Sequence, residues 1–179
     1  MPPAWPEQRG ALFTRHSSRE GRIPIVFDPV MIATTGAILA DTDTIAAFTR
    51  LMRLATLVTP NLPELAALGG EATIRALSPA LLVKGGHANG DIVEDRLVTD
   101  ARETLWTNPR IETRHSHGTG CTLASGIATG LAAGLPLADA IDRAIAFVRA
   151  ALAAAPGLGE GHGPMGHALG KIPFDTCRD

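Results

Sequence analysis

The chain has 179 residues, 45% of them hydrophobic and 19% charged, with a formal net charge of −2. That is enough for one domain with a sizeable core, and it gives no electrostatic ground for a nucleic-acid partner or an anionic membrane surface. Cys121 and Cys177 are the two cysteines, too few for a disulfide framework, so the expected setting is a reducing cytoplasm.

Residues 1–22, "MPPAWPEQRGALFTRHSSREGR", read as an irregular segment with one helical turn at "ALFTRH". They lack the apolar core of a signal peptide. The domain is expected over residues 23–179. It opens with "IPIVFDPV", a buried strand stopped by Pro29. Apolar residues at helical spacing predict a helix from Asp43 to Leu54, and "ATLVTP" reads as a short strand cut off at Pro60. Asn61 then caps a short helix that ends at Gly69-Gly70.

"EATIRAL" predicts a second short helix, and "PALLVK" a strand ending at Lys84-Gly85-Gly86. "DIVEDRLVTD" and "RETLWTN" fit a peripheral hairpin, "RIETRHS" a further strand, and the residues after Gly118 a helix. The uncharged run from Gly120 to Ala138 carries too many Gly, Ser and Thr residues for a lipid-facing span. "PLADAIDRAIAFVRAALAAA" is amphipathic, and the glycine-rich tail after it is loop-like. Strands alternating with helices predict an α/β layered fold, a mostly parallel sheet flanked by helices.

Ligands of such sheets gather beyond the C-terminal ends of the strands. Asp28, Asn61 to Glu64, Lys84 to Gly86 and Gly118 to Cys121 all follow strands there. Gly118-Thr119-Gly120-Cys121 turns tightly into a helix, an arrangement that favours a phosphate-like anion. The same field favours a thiolate, so Cys121 is a candidate base or nucleophile; the plainer reading is a packed cysteine after a turn. The third glycine of a dinucleotide fingerprint is absent, as is the Lys-Ser/Thr of a P-loop. His115 and His117 fit hydrogen-bonding loop residues. Asn61 and Glu64 suit either a hydrated magnesium ion or a reciprocal helix cap. Asp28 suits a second magnesium carboxylate or a turn, and Lys84 a phosphate contact or a solvated lysine.

In order, "FDPVMIATTG", "TPNLPEL", "LLVKGGH", "RHSHGTGCTLASGIA" and the closing "GHGP" resemble the hydroxymethylpyrimidine and phosphomethylpyrimidine kinases of thiamin biosynthesis, within the ribokinase-like superfamily. The resemblance runs from about residue 11 to residue 168. It implies transfer of the γ-phosphoryl group of ATP, with Mg2+, to the hydroxymethyl group of a small pyrimidine and then to the resulting monophosphate. It assigns the base to Cys121 and the anion hole to Gly118, Thr119 and Gly120. It also assigns magnesium and phosphate to Asn61, Glu64 and Asp28, with Asp28 and Glu64 as metal ligands. Lys84 falls to phosphate, and Val30 and Met31 to the border of the pyrimidine pocket.

Family members begin with a strand and a "TDPSGGAG"-like segment that this sequence does not contain, so about the first third of the usual domain is expected to be missing. An exposed sheet edge would follow, open to a second copy in a homo-oligomer. Three other readings stay open: an inactive nucleotide-binding fragment, a pyridoxine-type alcohol kinase, and an acyl or thiol transferase using Cys121 as nucleophile.

Overall fold

The computed structural model describes residues 23–31, 42–86 and 90–168. The expectations for residues 1–22, for His87 and for Cys177 lie outside those residues. Ten elements follow in chain order. They are β1 (Val26–Phe27), α1 (Thr42–Leu54), β2 (Leu57–Val58), α2 (Leu62–Ala67), α3 (Gly70–Arg75), β3 (Ala80–Val83), β4 (Ile92–Thr99), β5 (Glu103–Pro109), α4 (Thr119–Ala132) and α5 (Leu137–Ala153).

The strands form one five-stranded sheet in the order β1-β2-β3-β4-β5. β1, β2 and β3 run parallel, as βαβ connections require. β4 and β5 continue the sheet antiparallel, so the expected hairpin forms the sheet's outer part and makes it a mixed one. The strand expected over residues 110–116 is absent: the chain is irregular from Arg110 to Ser116. Arg110 N–H closes the hairpin on the Asp91 carbonyl at 2.7 Å, and β5 is already the last strand of the sheet. Among the described residues no strand lies beyond β5 for 110–116 to pair with in the sheet, and Glu112 and Arg114 are exposed.

Period-two alternation builds the two cores. Leu57, Ala80, Leu82 and Leu97 point to one face and pack with Ile127 of α4 and Ile141, Ala144 and Ile145 of α5. Val58, Leu81, Val83 and Val98 point to the other, with Met52 of α1, Ile74 of α3 and Leu68. The molecule is therefore a three-layer α/β structure, as expected, with the strand ends free to carry a site. Among the described residues no helix is long and apolar enough to cross a membrane.

Small residues let α4 and α5 come close. A Cβ added to Gly130 would lie 2.9 Å from the Ala140 Cβ, and one added to Gly126 would lie 3.0 Å from the Ala144 Cβ. Gly130→Val is expected to cost about 1–3 kcal/mol through overpacking, read as a lower urea midpoint; an unchanged midpoint would show that the helix pair gives way freely.

Asp95 of β4 is the unusual core residue: a carboxylate only 8% exposed, on the face that Leu97 shares. Burial raises its pKa above the ordinary 3.8, against the Gly85 N–H bond and the charge of Lys84, which lower it. The folded chain thus holds that proton more tightly than the unfolded one. The resulting stabilisation is complete below the ordinary value and is lost as pH rises through the raised one. Asp95→Asn, neutral throughout, is expected to gain stability relative to the native chain as pH rises from below 3.8 to neutral. Urea titrations at a series of pH values would read the difference; a difference independent of pH would contradict it.

Candidate functional site

The four motifs singled out in the sequence meet at the C-terminal ends of β1, β2 and β3. Asp28 follows β1, and its Oδ1 accepts the Thr59 hydroxyl at 2.9 Å from the end of β2. Lys84 follows β3, held there by its N–H bond to the Pro60 carbonyl at 2.9 Å. Its Nζ reaches Asp28 Oδ1 at 2.5 Å and Glu64 Oε2 at 3.9 Å. The lysine and Asp28 side chains are only 12% and 10% exposed, so the three charges interact in a largely dry place where Coulomb attraction is strong.

Asn61 and Glu64 form a reciprocal cap on α2. Glu64 N–H donates to Asn61 Oδ1 and Asn61 N–H to Glu64 Oε2, each at 2.8 Å. The cap reading of this pair is therefore correct as geometry. It does not remove Glu64 from the site, because the same Oε2 faces Lys84. Asp28 Oδ2 is different: it is buried and has no hydrogen-bond partner.

The glycine turn lies directly over these charges. A Cβ on Gly120 would come 3.1 Å from Lys84 Nζ and 3.5 Å from Asp28 Oδ2. Gly118, at φ 83°, is the N-cap of α4 and offers no side chain to its first-turn N–H groups. Thr119 turns its hydroxyl back to the Ser116 carbonyl at 2.6 Å. The N-terminal end of a 14-residue helix thus stands open beside a lysine, the arrangement that receives an anion. Cys121, in the first turn of α4, is exposed. It opens onto a groove of about 450 Å³ that Ser125, Thr129, Phe147 and His167 also line.

Val30 and Met31 follow Asp28 closely in the chain but bring no polar side chain to this cluster. Val30 N–H closes a turn onto the Asp28 carbonyl at 2.9 Å, and Met31, 6% exposed, packs into the core beneath α1. Among the described residues no group of three or more His, Cys, Asp or Glu side chains is placed to hold a metal ion by itself. A magnesium ion needs only one or two carboxylates when phosphates and water supply the rest. The unpartnered Asp28 Oδ2 is the oxygen that fits such an ion.

Three features escaped the sequence reading. Thr59 tethers Asp28 from the residue before Pro60; a hydroxyl in a buried strand end was its signal. Asp95 accepts the Gly85 N–H at 3.0 Å; a carboxylate on an inward face was its signal. The tail over residues 156–168 is irregular, as expected, yet it straps back onto the glycine turn. His117 N–H donates to the Gly163 carbonyl at 3.4 Å, His162 Nδ1 donates to the Arg114 carbonyl at 3.1 Å, and Thr122 Oγ1 meets His167 Nε2 at 2.9 Å. Nothing in the periodicity of a glycine-rich tail foretells these contacts.

The family model for phosphomethylpyrimidine kinase matches residues 11–166. The hydroxymethylpyrimidine/phosphomethylpyrimidine kinase of Rhizobium meliloti (strain 1021) is 45% identical over 161 residues, which cover 79% of this chain and 60% of that protein. Its counterpart from Streptomyces coelicolor is 42% identical over 165 residues, covering 83% and 61%. The pyridoxal kinase of Staphylococcus aureus in complex with AMP-PCP superposes with a TM-score of 0.72 at 26% identity, over 90% of this chain and 63% of that one. The chain thus spans about three-fifths of the length of the curated relatives it matches. With a ribokinase-like layered sheet, relatives of 45% and 42% identity and a family match over most of its length, the chain belongs to the phosphomethylpyrimidine kinase family.

Proposed function

We propose that the chain carries the phosphoryl-transfer half of a kinase acting on 4-amino-5-hydroxymethyl-2-methylpyrimidine and on its monophosphate, with ATP as donor and Mg2+ as metal, in the cytoplasm. The observation that carries this reading is the approach of Gly120 onto the Asp28–Lys84 pair, which joins an open helix end to a buried lysine and a free carboxylate oxygen. The curated relatives named as kinases of this pyrimidine and the AMP-PCP complex of a fold neighbour support the same assignment.

In this reading the N–H groups of Thr119, Gly120 and Cys121 and the Lys84 ammonium bind the phosphates and stabilise charge on the transferring group. Asp28, through Oδ2, and Glu64 hold Mg2+, with Asn61 fixing Glu64. The ion supplies charge neutralisation across the phosphates. Cys121 Sγ acts as the base that takes the proton of the substrate hydroxymethyl group. The alcohol oxygen bonds to the γ-phosphorus as the bond from that phosphorus to the bridging oxygen breaks, and ADP leaves. Val30 and Met31 border the acceptor pocket, and the acceptor half is completed by residues beyond those described or by a second copy.

Mass spectrometry of the purified chain with ATP, Mg2+ and either pyrimidine tests the reading. Phosphorylated product is expected, with kcat lowered about 10²–10⁴-fold by Cys121→Ala at a nearly unchanged KM for ATP. Lys84→Ala is expected to raise that KM about tenfold. Phosphorylation of pyridoxal in place of either pyrimidine would move the acceptor to the vitamin-type alcohol of the fold neighbours. A folded chain that binds AMP-PCP yet forms no product would mark a nucleotide-binding remnant, and labelling of Cys121 by an acyl electrophile without ATP would favour a transferase.

A further inference from the structure

The turn that carries Lys84 is held from a strand that contributes nothing else to the site. β3 and β4 pair residue by residue from Ala80↔Thr99 to Val83↔Arg96, and there the ladder ends. Beyond it the two chains meet in another way. Gly85 N–H donates to the Asp95 side chain, Oδ1 at 3.0 Å. Gly85 also lies so close to β4 that an added Cβ would stand 2.1 Å from the Glu94 carbonyl oxygen. On the opposite side the Lys84 N–H is bonded to Pro60. The two consecutive N–H groups at Lys84 and Gly85 are therefore clamped from β2 and β4, which fixes the direction in which the Lys84 side chain leaves the backbone.

Asp95 is an expensive clamp. A carboxylate 8% exposed loses most of its hydration, and a backbone amide would be satisfied as well by a neutral acceptor. What the carboxylate adds is a stronger, charge-assisted bond at the end of β3, together with an attraction to Lys84. Both act on the orientation of one lysine.

We propose that Asp95 is a positioning residue of the phosphate site: its carboxylate fixes the Lys84–Gly85 peptide and so aims the Lys84 ammonium at Asp28 and at the turn carrying Gly120. The inference rests on the proposed function only where phosphate is named as what Lys84 meets. The clamp itself is a property of the folded chain.

Amide hydrogen exchange and AMP-PCP affinity, measured on the full chain with Mg2+, separate the two. Asp95→Ala is expected to speed exchange at the Gly85 amide about tenfold or more and to weaken AMP-PCP by a similar factor. Asp95→Asn keeps the acceptor and loses the charge, so both quantities should fall between the native and alanine values, about threefold from native. In a Lys84→Ala background, Asp95→Ala should weaken AMP-PCP no further, since the coupling runs through that lysine. Should the alanine variant fail to fold, Asp95→Ser, whose hydroxyl stops short of Gly85, replaces it in each comparison. An equally protected Gly85 amide in the alanine or serine variant would overturn the proposal. So would an asparagine variant that behaves like alanine, because charge alone would then be at work. If the native chain does not bind AMP-PCP at all, the kinase reading falls, while exchange at Gly85 still decides the role of Asp95.

Discussion

Lys84, at the end of β3, places one ammonium between two carboxylates that follow β1 and β2, and the C-terminal edge of the parallel strands is organised around it. Its Nζ binds Asp28 after β1 and faces Glu64 after β2, while its own backbone and that of Gly85 are fixed by Pro60 and Asp95. β1 and β2 share only two paired positions, Val26↔Leu57 and Phe27↔Val58, too few for the ladder alone to hold a strand firmly. The Thr59 and Lys84 bonds to Asp28 supply the missing constraint. Removing one partner of such a buried pair leaves an uncompensated charge and costs about 3–5 kcal/mol. Stability and site therefore rest on the same atoms, which is why a substitution at Lys84 has to be read with a folding control beside the activity.

That cluster needs a neighbour without a side chain. Gly120 can lie over Lys84 and Asp28 only because it has no Cβ, and the helix it begins is pressed down by Gly126 and Gly130 against Ala144 and Ala140. The strap over residues 156–168 secures the other side of the turn. Met165 is 3% exposed, and Gly166 N–H is bonded to the Ala151 carbonyl at 2.8 Å, so the strap is rooted in α5. His115, 9% exposed, lies where a Cβ on Gly163 would stand, 2.3 Å from its Nδ1. The open end of α4 is thus held from below by charge and from the side by close packing, and a rigid anion site requires both.

Much of this was legible in the residues. The unbroken apolar run in "PALLVK" and the helical spacing from Asp43 to Leu54 pointed to elements that form, because each pattern reports burial directly. Asn61 and Glu64 announced a cap by spacing, and the cap is there. "RIETRHS" misled for a physical reason: a strand needs a partner as well as a suitable pattern, and β5 had already ended the sheet. Spacing along the chain also could not say that Lys84 would sit between Asp28 and Glu64, or that Asp95 would turn inward to Gly85. Those are contacts between separate elements, the first set by the parallel pairing of β1, β2 and β3 and the second by the register of β3 on β4.

The juxtaposition of a free carboxylate oxygen and an open helix N-terminus poses an electrostatic problem whose solution bears on the proposed reaction. A phosphate drawn to the end of α4 would approach Asp28 Oδ2, and two anions at such separation in a dry site repel strongly. Lys84 screens only part of this, since its ammonium is already shared with Asp28 Oδ1 and Glu64. In the proposed reaction Asp28, whose Oδ2 lacks a hydrogen-bond partner, would hold a divalent cation whose charge would offset that repulsion. Nucleotide and metal should then bind with mutual reinforcement, each raising the affinity of the other by the same factor, as linkage demands. In the proposed reaction the carboxylates beneath the glycine turn would therefore make phosphate binding depend on the metal.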